Sequence, residues 1–231
     1  MAHNLNINEG VVSFASTETA WHGLGQIVEG VMTSEEAIKL AHLDYDVAKS
    51  PCVAFNTTET GINEIILPDK FMTYRTDKNQ GFGVVGSRYE IVQNKDAFKF
   101  FDAIVGEGIA MYETAGALGK GERIFLSAKL PDVVTVEGLK DDVTEMYILL
   151  TSTHDGSGSI KALITPVRVV CENTLNGALR EHFNKVSIRH TKNVQTNLEN
   201  AHKLLGITHK YIAELNTCFS HLAKKKVSDE V

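Results

Sequence analysis

The chain has 231 residues, of which 43% are hydrophobic and 23% are charged, which is the composition of an ordinary globular protein with a sizeable core. Its net charge of −6 argues against a bulk polyanion binder, so a role with nucleic acid would require a local basic surface. Its three cysteines are odd in number and form no CxxC pair, which favours free thiols in a reducing compartment.

We do not expect the N-terminal segment to be a signal peptide. Residues 1–20 are polar and lack both a basic region and an apolar stretch of the kind that a signal peptide needs. No apolar run in the chain approaches the ~18 residues that span a bilayer. We therefore expect a cytoplasmic protein of a bacterial host cell with no membrane partner, and residues 1–20 are interpreted as a flexible N-terminal arm.

Capping residues predict two helices. Thr33 and Glu36 have the spacing of a capping box, which indicates a helix over about 34–43. Asn94 is a good N-cap for a second helix over about 95–105. Strands are predicted for the alternating or apolar runs Asp44–Ala54, Glu64–Leu67, Phe71–Arg75, Gly108–Glu113 and Arg123–Leu130.

The segment Tyr147–Thr191 organises the rest of the chain. Two apolar runs, Tyr147–Leu150 and Ile160–Val170, flank the polar Gly/Ser turn Thr151–Ser159. The second run ends at a short polar stretch that begins with Cys171. Two buried strands with polar ends are typical of a site built on a rigid hairpin, so we predict the functional site here.

A heptad-like pattern follows this segment. Apolar residues alternate in steps of four and three from Val194 to Leu222, which predicts a long amphipathic helix. Its apolar seam needs a partner surface, which is the sheet, a second copy of the chain or another protein. The tail after the seam carries three consecutive lysines.

These elements predict an α+β fold: an antiparallel β-sheet with helices packed on one face and a long C-terminal helix. The predicted organisation has three parts. They are the flexible arm at 1–20, an α+β core domain at 21–192, and a C-terminal amphipathic helix and tail at 193–231.

A basic surface is the first candidate site. Between residues 160 and 192 the only acids are Glu172 and Glu181, so positive charge is concentrated there in an acidic chain. Arg168 lies within an apolar strand and requires a partner for its guanidinium group. Tyr89, Tyr112 and Phe183 could stack on bases. The predicted phosphate contacts are Lys161, Arg168, Arg180, Lys185, Arg189 and Lys192, with a solvated basic face as the alternative.

A polar pocket is the second candidate site. An enzyme could use His154, Asp155, Cys171 and His190 for acid–base or nucleophilic chemistry, although Cys171 also fits a buried small apolar residue. No pair of ligands has the spacing of a zinc motif. We therefore predict no metal and no cofactor.

Five sequence motifs resemble a known family. WHGLG, VVGSRYEIVQN, ETAGAL, THDGSGSIKALITPVRVVCENTLN and SIRHT are together similar to the phage/plasmid-like family known as domain of unknown function 932. The resemblance implies a setting in mobile genetic elements and a shared polar site, with no established reaction. By motif matching, the resemblance places that site at His22, Gly23, Tyr89, Gln93, Asn94, Glu113, His154, Asp155, Arg168, Cys171, Asn173, Thr174, Arg189 and His190.

The leading hypothesis is a phage- or plasmid-encoded nucleic-acid-binding protein that acts on single-stranded DNA, in annealing or recombination, as a homo-oligomer. The first alternative is a hydrolase-like enzyme with a His/Asp/Cys pocket. In one version of this alternative, a metal ion assists the reaction. An oligomeric scaffold or host-interaction protein acting through the heptad helix is the second.

Overall fold

The computed structural model describes residues 3–30, 32–59, 61–105, 111–135 and 143–197. Within these ranges, strands hold far more residues than helices do. The strands are β1 (Ile7–Asn8), β2 (Val11–Val12), β3 (Phe14–Ser16), β4 (Gln26–Ile27), β5 (Val47–Thr58), β6 (Gly61–Arg75), β7 (Gln80–Gly86), β8 (Met111–Leu118), β9 (Arg123–Thr135), β10 (Val143–Thr153), β11 (Ile160–Thr165) and β12 (Asn184–Ile188). The helices are α1 (Ser34–Leu40), α2 (Asn94–Val105) and α3 (Glu172–Arg180).

Both helices predicted from capping residues are confirmed. The hydroxyl of Thr33 accepts a hydrogen bond from the Glu36 N–H, and the Glu36 carboxylate accepts one from the Thr33 N–H. This reciprocal capping box satisfies two donors that the first turn of α1 would otherwise leave unpaired. Helix α2 begins at Asn94 and buries Phe98 and Phe101.

The largest sheet has seven strands in the order β12-β11-β10-β9-β8-β3-β4. Neighbours are antiparallel except for the parallel pair β3 and β4. Strand β10 lies between β11 and β9, where Leu149 pairs with Leu163 of β11 and with Ser127 of β9. The two apolar runs that flank the Gly/Ser turn are therefore neighbouring strands, as the sequence predicts, although the second strand ends at Thr165 rather than continuing to Val170.

The prediction that the helices pack on one face is wrong, and so is the α+β class that it supports. Successive strand residues point to opposite faces. Ile148 belongs to a core cluster with Ala37 of α1 and Phe98 of α2. Its neighbour Leu149 belongs to a second cluster with Leu175 of α3. The described chain is thus a mainly β protein whose central sheet is covered on both faces.

The predicted long C-terminal helix is not part of this described fold. Residues 194–197 are helical, and the heptad pattern after residue 197 lies outside the described residues. Short helices therefore account for all the helical structure described. At the other end, the predicted flexible arm contributes strand β3, which pairs with β8 and buries Phe14 completely.

A second sheet of three strands, in the order β5-β6-β7, carries a projecting hairpin. Strand β7 pairs with β6 only from Lys70 to Arg75. Beyond an irregularity between Pro51 and Val53, β5 and β6 continue as a two-stranded ribbon. We call residues 52–59 and 61–67 the ribbon arm. Large apolar side chains are exposed along it, including Phe55 at 67% and Ile62 at 69%.

No helix among the described residues is long and apolar enough to cross a membrane.

Candidate functional site

A glycine-containing turn forms one wall of the site. It connects β10 to β11, and the Asp155 carboxylate accepts hydrogen bonds from the N–H and the hydroxyl of Ser157, at 2.9 and 2.7 Å. Gly156 has a φ of +79°, and a Cβ there would lie 2.8 Å from the Val85 side chain. Only glycine fits this conformation and this close approach. The turn is therefore held rigidly against β7.

A second wall consists of the chain that leaves β7 and the chain that leaves β12. The backbone N–H of Glu90 donates to the carbonyl of His190 at 3.1 Å, and Nδ1 of His190 lies 3.1 Å from the Glu90 carbonyl. The Tyr89 ring stacks on the His190 ring with centroids 4.7 Å apart. The Tyr89 hydroxyl donates to the Thr153 carbonyl at 2.9 Å. These contacts tie both segments to the end of β10.

The walls enclose an open cleft of about 1330 Å³. Serine and glycine residues form much of its lining, together with four basic and two acidic side chains. The basic ones are Arg88, Lys161, Arg189 and Lys192, and the acidic ones are Asp69 and Glu90. None of the four basic side chains is paired with a carboxylate of the described residues. The cleft therefore has a net positive charge and hydroxyl donors, which suits an anion.

Two buried histidines lie at the cleft and beside it. His154 is fully buried, and burial lowers its pKa to about 3. His190 lines the cleft and is 5% exposed, and burial lowers its pKa as well. Asp155 is close enough to oppose both shifts. Both imidazoles are therefore neutral near pH 7, able to donate one hydrogen bond and to accept another.

The structure divides the predicted basic residues into three groups. Lys161, Arg189 and Lys192 line the cleft. Arg180 and Lys185 are exposed but are not among its lining residues. Arg168 donates to the Glu113 carboxylate at 2.7 Å, and it also contacts the hydroxyl of Ser16 and the carbonyl of Glu18. Arg168 therefore links β8 to β3 and to the chain that follows β3, and its Nε and Nη2 groups are already hydrogen-bonded and not available to a phosphate.

The predicted catalytic residues do not all converge. His154, Asp155 and His190 are near one another, as their mutual electrostatic effects indicate. Cys171 is fully buried in the apolar cluster on the α3 face, with Phe14 and Leu175. A thiol in that cluster is a small apolar side chain, so it does not join the histidines. The described residues also contain no group of three or more ligands able to hold a metal ion.

Among the other predicted pocket residues, Tyr89 lines the cleft, whereas His22, Glu113 and Thr174 have structural contacts away from it. Nε2 of His22 contacts the Val170 carbonyl at 3.0 Å, and its Nδ1 accepts from the Leu24 N–H. The Thr174 hydroxyl accepts from the backbone N–H groups of Val170 and Cys171. Glu113 pairs with Arg168, and Asn173 is exposed on the first turn of α3. The His22, Glu113 and Thr174 side chains therefore hold the chain around the segment that leads into α3.

Sequence reasoning did not find Arg88, Asp69 or the serines as lining residues. Arg88 belongs to the motif VVGSRYEIVQN. It lies in the cleft because segments that are distant in the sequence pack together, and no local sequence pattern predicts that packing. The proposed base-stacking role does not fit two of the three aromatic residues. Tyr89 is buried against His190, and Tyr112 is buried with its hydroxyl on Asp102. The cleft thus offers charge and hydroxyl groups rather than exposed aromatic rings.

A family model described as a domain of unknown function (DUF932) matches residues 81–231. Comparisons with curated proteins and with solved structures gave no match. The matched range contains all four basic residues of the cleft and both histidines, while the ribbon arm precedes it.

Proposed function

The chain belongs to the domain of unknown function 932 family, and we propose that it binds single-stranded nucleic acid by holding the phosphate backbone in the cleft. The observation that supports this is the convergence of Arg88, Lys161, Arg189 and Lys192 on one open surface. A cation without a carboxylate partner is available to a phosphate oxygen. In a chain of net charge −6, such a surface directs a polyanion to one place.

The size and openness of the cleft favour a polymer. Pockets for small molecules enclose about 300–1,000 Å³, and this cleft of about 1330 Å³ exceeds that range. An extended strand can pass through an open cleft, whereas a small anion would be held by only part of the lining. A phage or plasmid setting and a role in annealing or recombination remain part of this proposal.

We also propose that copies of the chain associate through the ribbon arm. Phe55, Ile62 and Ile66 expose 67%, 69% and 64% of their surfaces. The arm carries Glu59 and Glu64 and no basic residue, so it is unsuited to a phosphate backbone. A contiguous apolar surface of this kind is typical of a protein contact. An oligomer would align several clefts along one strand.

The cleft is tested by paired charge reversals. The double variant Lys161→Glu/Arg189→Glu removes two cleft cations, whereas Arg180→Glu/Lys185→Glu changes the net charge equally outside the cleft lining. Fluorescence anisotropy with labelled 12-nucleotide strands measures the affinity. We expect the cleft variant to bind on the order of ten-fold more weakly or worse, and its salt slope to fall by about 0.7 per lost phosphate contact.

The control variant should retain most of the affinity. Equal losses in both double variants, or no binding by the native protein at low salt, would contradict the cleft proposal. Association is tested separately by light scattering of Phe55→Ser/Ile62→Ser, with Val84→Ser as a control on another exposed strand residue. A native protein that is monomeric throughout the micromolar range would exclude association through the arm.

A further inference from the structure

Trp21 presents a large aromatic ring to solvent outside the cleft. It is the single tryptophan of the chain, and 68% of its surface is exposed. The rings of His3 and His22 lie beside it, with centroids 4.6 and 5.5 Å away and planes inclined at 58° and 63°. Because both neighbours meet the indole at steep angles, a flat face of the indole remains open. An exposed aromatic face of this kind is suited to stacking on another flat ring.

The segment around Trp21 is fixed to the rest of the fold. Both ring nitrogens of His22 contact backbone groups at 3.0 Å. The Gly23 N–H donates to the Ala20 carbonyl at 2.9 Å, which closes a tight turn around Trp21. Ala20 and Leu24 pack into the apolar cluster on the α3 face. The indole is therefore positioned before a ligand binds, which reduces the entropy lost on binding.

Trp21 lies at the same end of the seven-stranded sheet as the cleft. Strand β9 begins there at Arg123, which pairs with Thr153 at the end of β10 and with Leu118 at the end of β8. Leu118 also bridges to the N-terminal segment, which carries His3 to the indole. This segment is three strand spacings from β10, or about 14 Å. Even at a stacked spacing of about 3.4 Å per nucleotide, a strand of 12 nucleotides is long enough to contact both places.

An exposed cation lies between the cleft and the indole. The turn that joins β8 to β9 carries Lys120, which is exposed and pairs with no carboxylate in the described part of the chain. On one side of this turn the Glu122 carbonyl accepts from the His154 N–H at 2.7 Å. On the other side the Gly119 N–H donates to the Asn4 carbonyl at 2.8 Å. A phosphate between the cleft and the indole would therefore lie near Lys120, which can bind it.

We propose that Trp21 stacks on a base of the nucleic-acid strand whose phosphates lie in the cleft, so that the site extends past Lys120 to the N-terminal segment. This role rests on the proposed binding of single-stranded nucleic acid and adds the base contact that the cleft lacks, since Tyr89 is buried there. Stacking uses the face of a base rather than its edge, so Trp21 raises the affinity without selecting a sequence.

The test uses the fluorescence of Trp21, because no other tryptophan contributes to the emission. It compares two 12-nucleotide strands with the same sugar–phosphate backbone, one carrying thymine and one carrying no bases. Anisotropy of the labelled strands gives the affinities, and titration with the unlabelled strands gives the change in emission. We expect the thymine strand to quench the emission and to bind about five-fold or more tighter than the abasic strand. The abasic strand should bind without quenching.

Variants assign the base contact to Trp21. Trp21→Ala should weaken binding of the thymine strand about five-fold or more and leave the abasic strand unchanged, whereas Trp21→Tyr keeps a ring and should retain most of the affinity. Ile27→Ala is the matched control, because Ile27 is an exposed apolar residue of β4 at 48%, and it should bind as the native protein does. Lys120→Glu should weaken both strands alike. Thermal unfolding verifies that each variant folds.

The possible failures are distinguishable. Binding of the thymine strand without quenching and with unchanged affinity in Trp21→Ala overturns the stacking role and leaves the proposed function in place, with Trp21 then available to a protein partner. An equal loss for both strands in folded Trp21→Ala also overturns it, because that effect needs no base. Unchanged affinity in Lys120→Glu overturns the path past Lys120. No binding of any strand at low salt overturns both proposals.

Discussion

The side-chain amide of Asn94 holds the imidazole of His154 in a single tautomer. The amide nitrogen donates to the Leu43 carbonyl at 2.8 Å, so the amide oxygen faces Nε2 of His154, also at 2.8 Å. Because an amide oxygen only accepts, Nε2 carries the proton. This contact connects the first residue of α2 to the turn that forms a wall of the cleft.

Stability should depend on pH through His154. Burial lowers its pKa to about 3 in the folded protein, against about 6.5 in the unfolded chain. Between these values the unfolded chain binds a proton that the folded protein does not, so stability rises with pH there. It is fully present above about pH 6.5 and is lost as the pH falls toward 3, by up to about 1.4 kcal/mol per pH unit.

Urea unfolding at pH 7.5, 6.0 and 5.0 would measure this slope. His190, whose pKa is also lowered by burial, adds to it in the same direction. In a His154→Gln variant the slope should be shallower than in the native protein. An identical slope in both proteins would show that His154 does not control the acid sensitivity.

Loss of the Asn94 side chain should destabilise the fold. Asn94→Ala leaves the Leu43 carbonyl and the Nε2 proton of His154 without their partner, and each unsatisfied buried group costs about 1–3 kcal/mol. We expect a loss of about 2–4 kcal/mol in the free energy of unfolding. The exposed Asn56 in the ribbon arm is the matched control, and Asn56→Ala should stay within about 0.5 kcal/mol.

Arg168 should matter for stability rather than for binding. Removing one member of a buried pair costs about 3–5 kcal/mol. Since Arg168 is 22% exposed and Glu113 is 7% exposed, we expect a smaller loss of about 2–3 kcal/mol for Arg168→Ala. Its affinity for the 12-nucleotide strands should match that of the native protein. The exposed Arg180→Ala is the stability control, and weakened binding by Arg168→Ala without destabilisation would assign Arg168 to the ligand instead.

The ribbon arm should contribute little to the stability of an isolated chain. Phe55 is 67% exposed, so Phe55→Ser removes few internal contacts and should change the free energy of unfolding by no more than about 0.5 kcal/mol. Phe98 of α2 is 1% exposed, and Phe98→Ala should cost about 3–5 kcal/mol. Denaturant unfolding at low protein concentration compares them, and a large loss for Phe55→Ser would mean that the arm packs against the chain.

The sequence by itself determined the local elements and the region of the site. The capping box of Thr33 and Glu36 located α1, because capping depends on residues only three apart. Asn94 marked the start of α2, but the prediction that it caps this helix is wrong, because it is the first helical residue and its side chain contacts Leu43 and His154. The apolar runs on either side of Thr151–Ser159 located the neighbouring strands β10 and β11 for a similar reason. The polar residues at the ends of these strands predicted a site at the turn between them, and this turn forms part of the cleft.

Only the tertiary structure decided which of these residues meet. Arg168 pairs with Glu113, which is 55 residues away in the chain. Arg88 lines the same cleft as Lys161 and Arg189. Cys171 and His154 belong to different surroundings, although both follow strands of one sheet. The periodicity of apolar residues indicates which face of its own helix or strand a residue occupies. Strand register and the packing of helices on both faces decide its distant neighbours, and no local pattern carries that information.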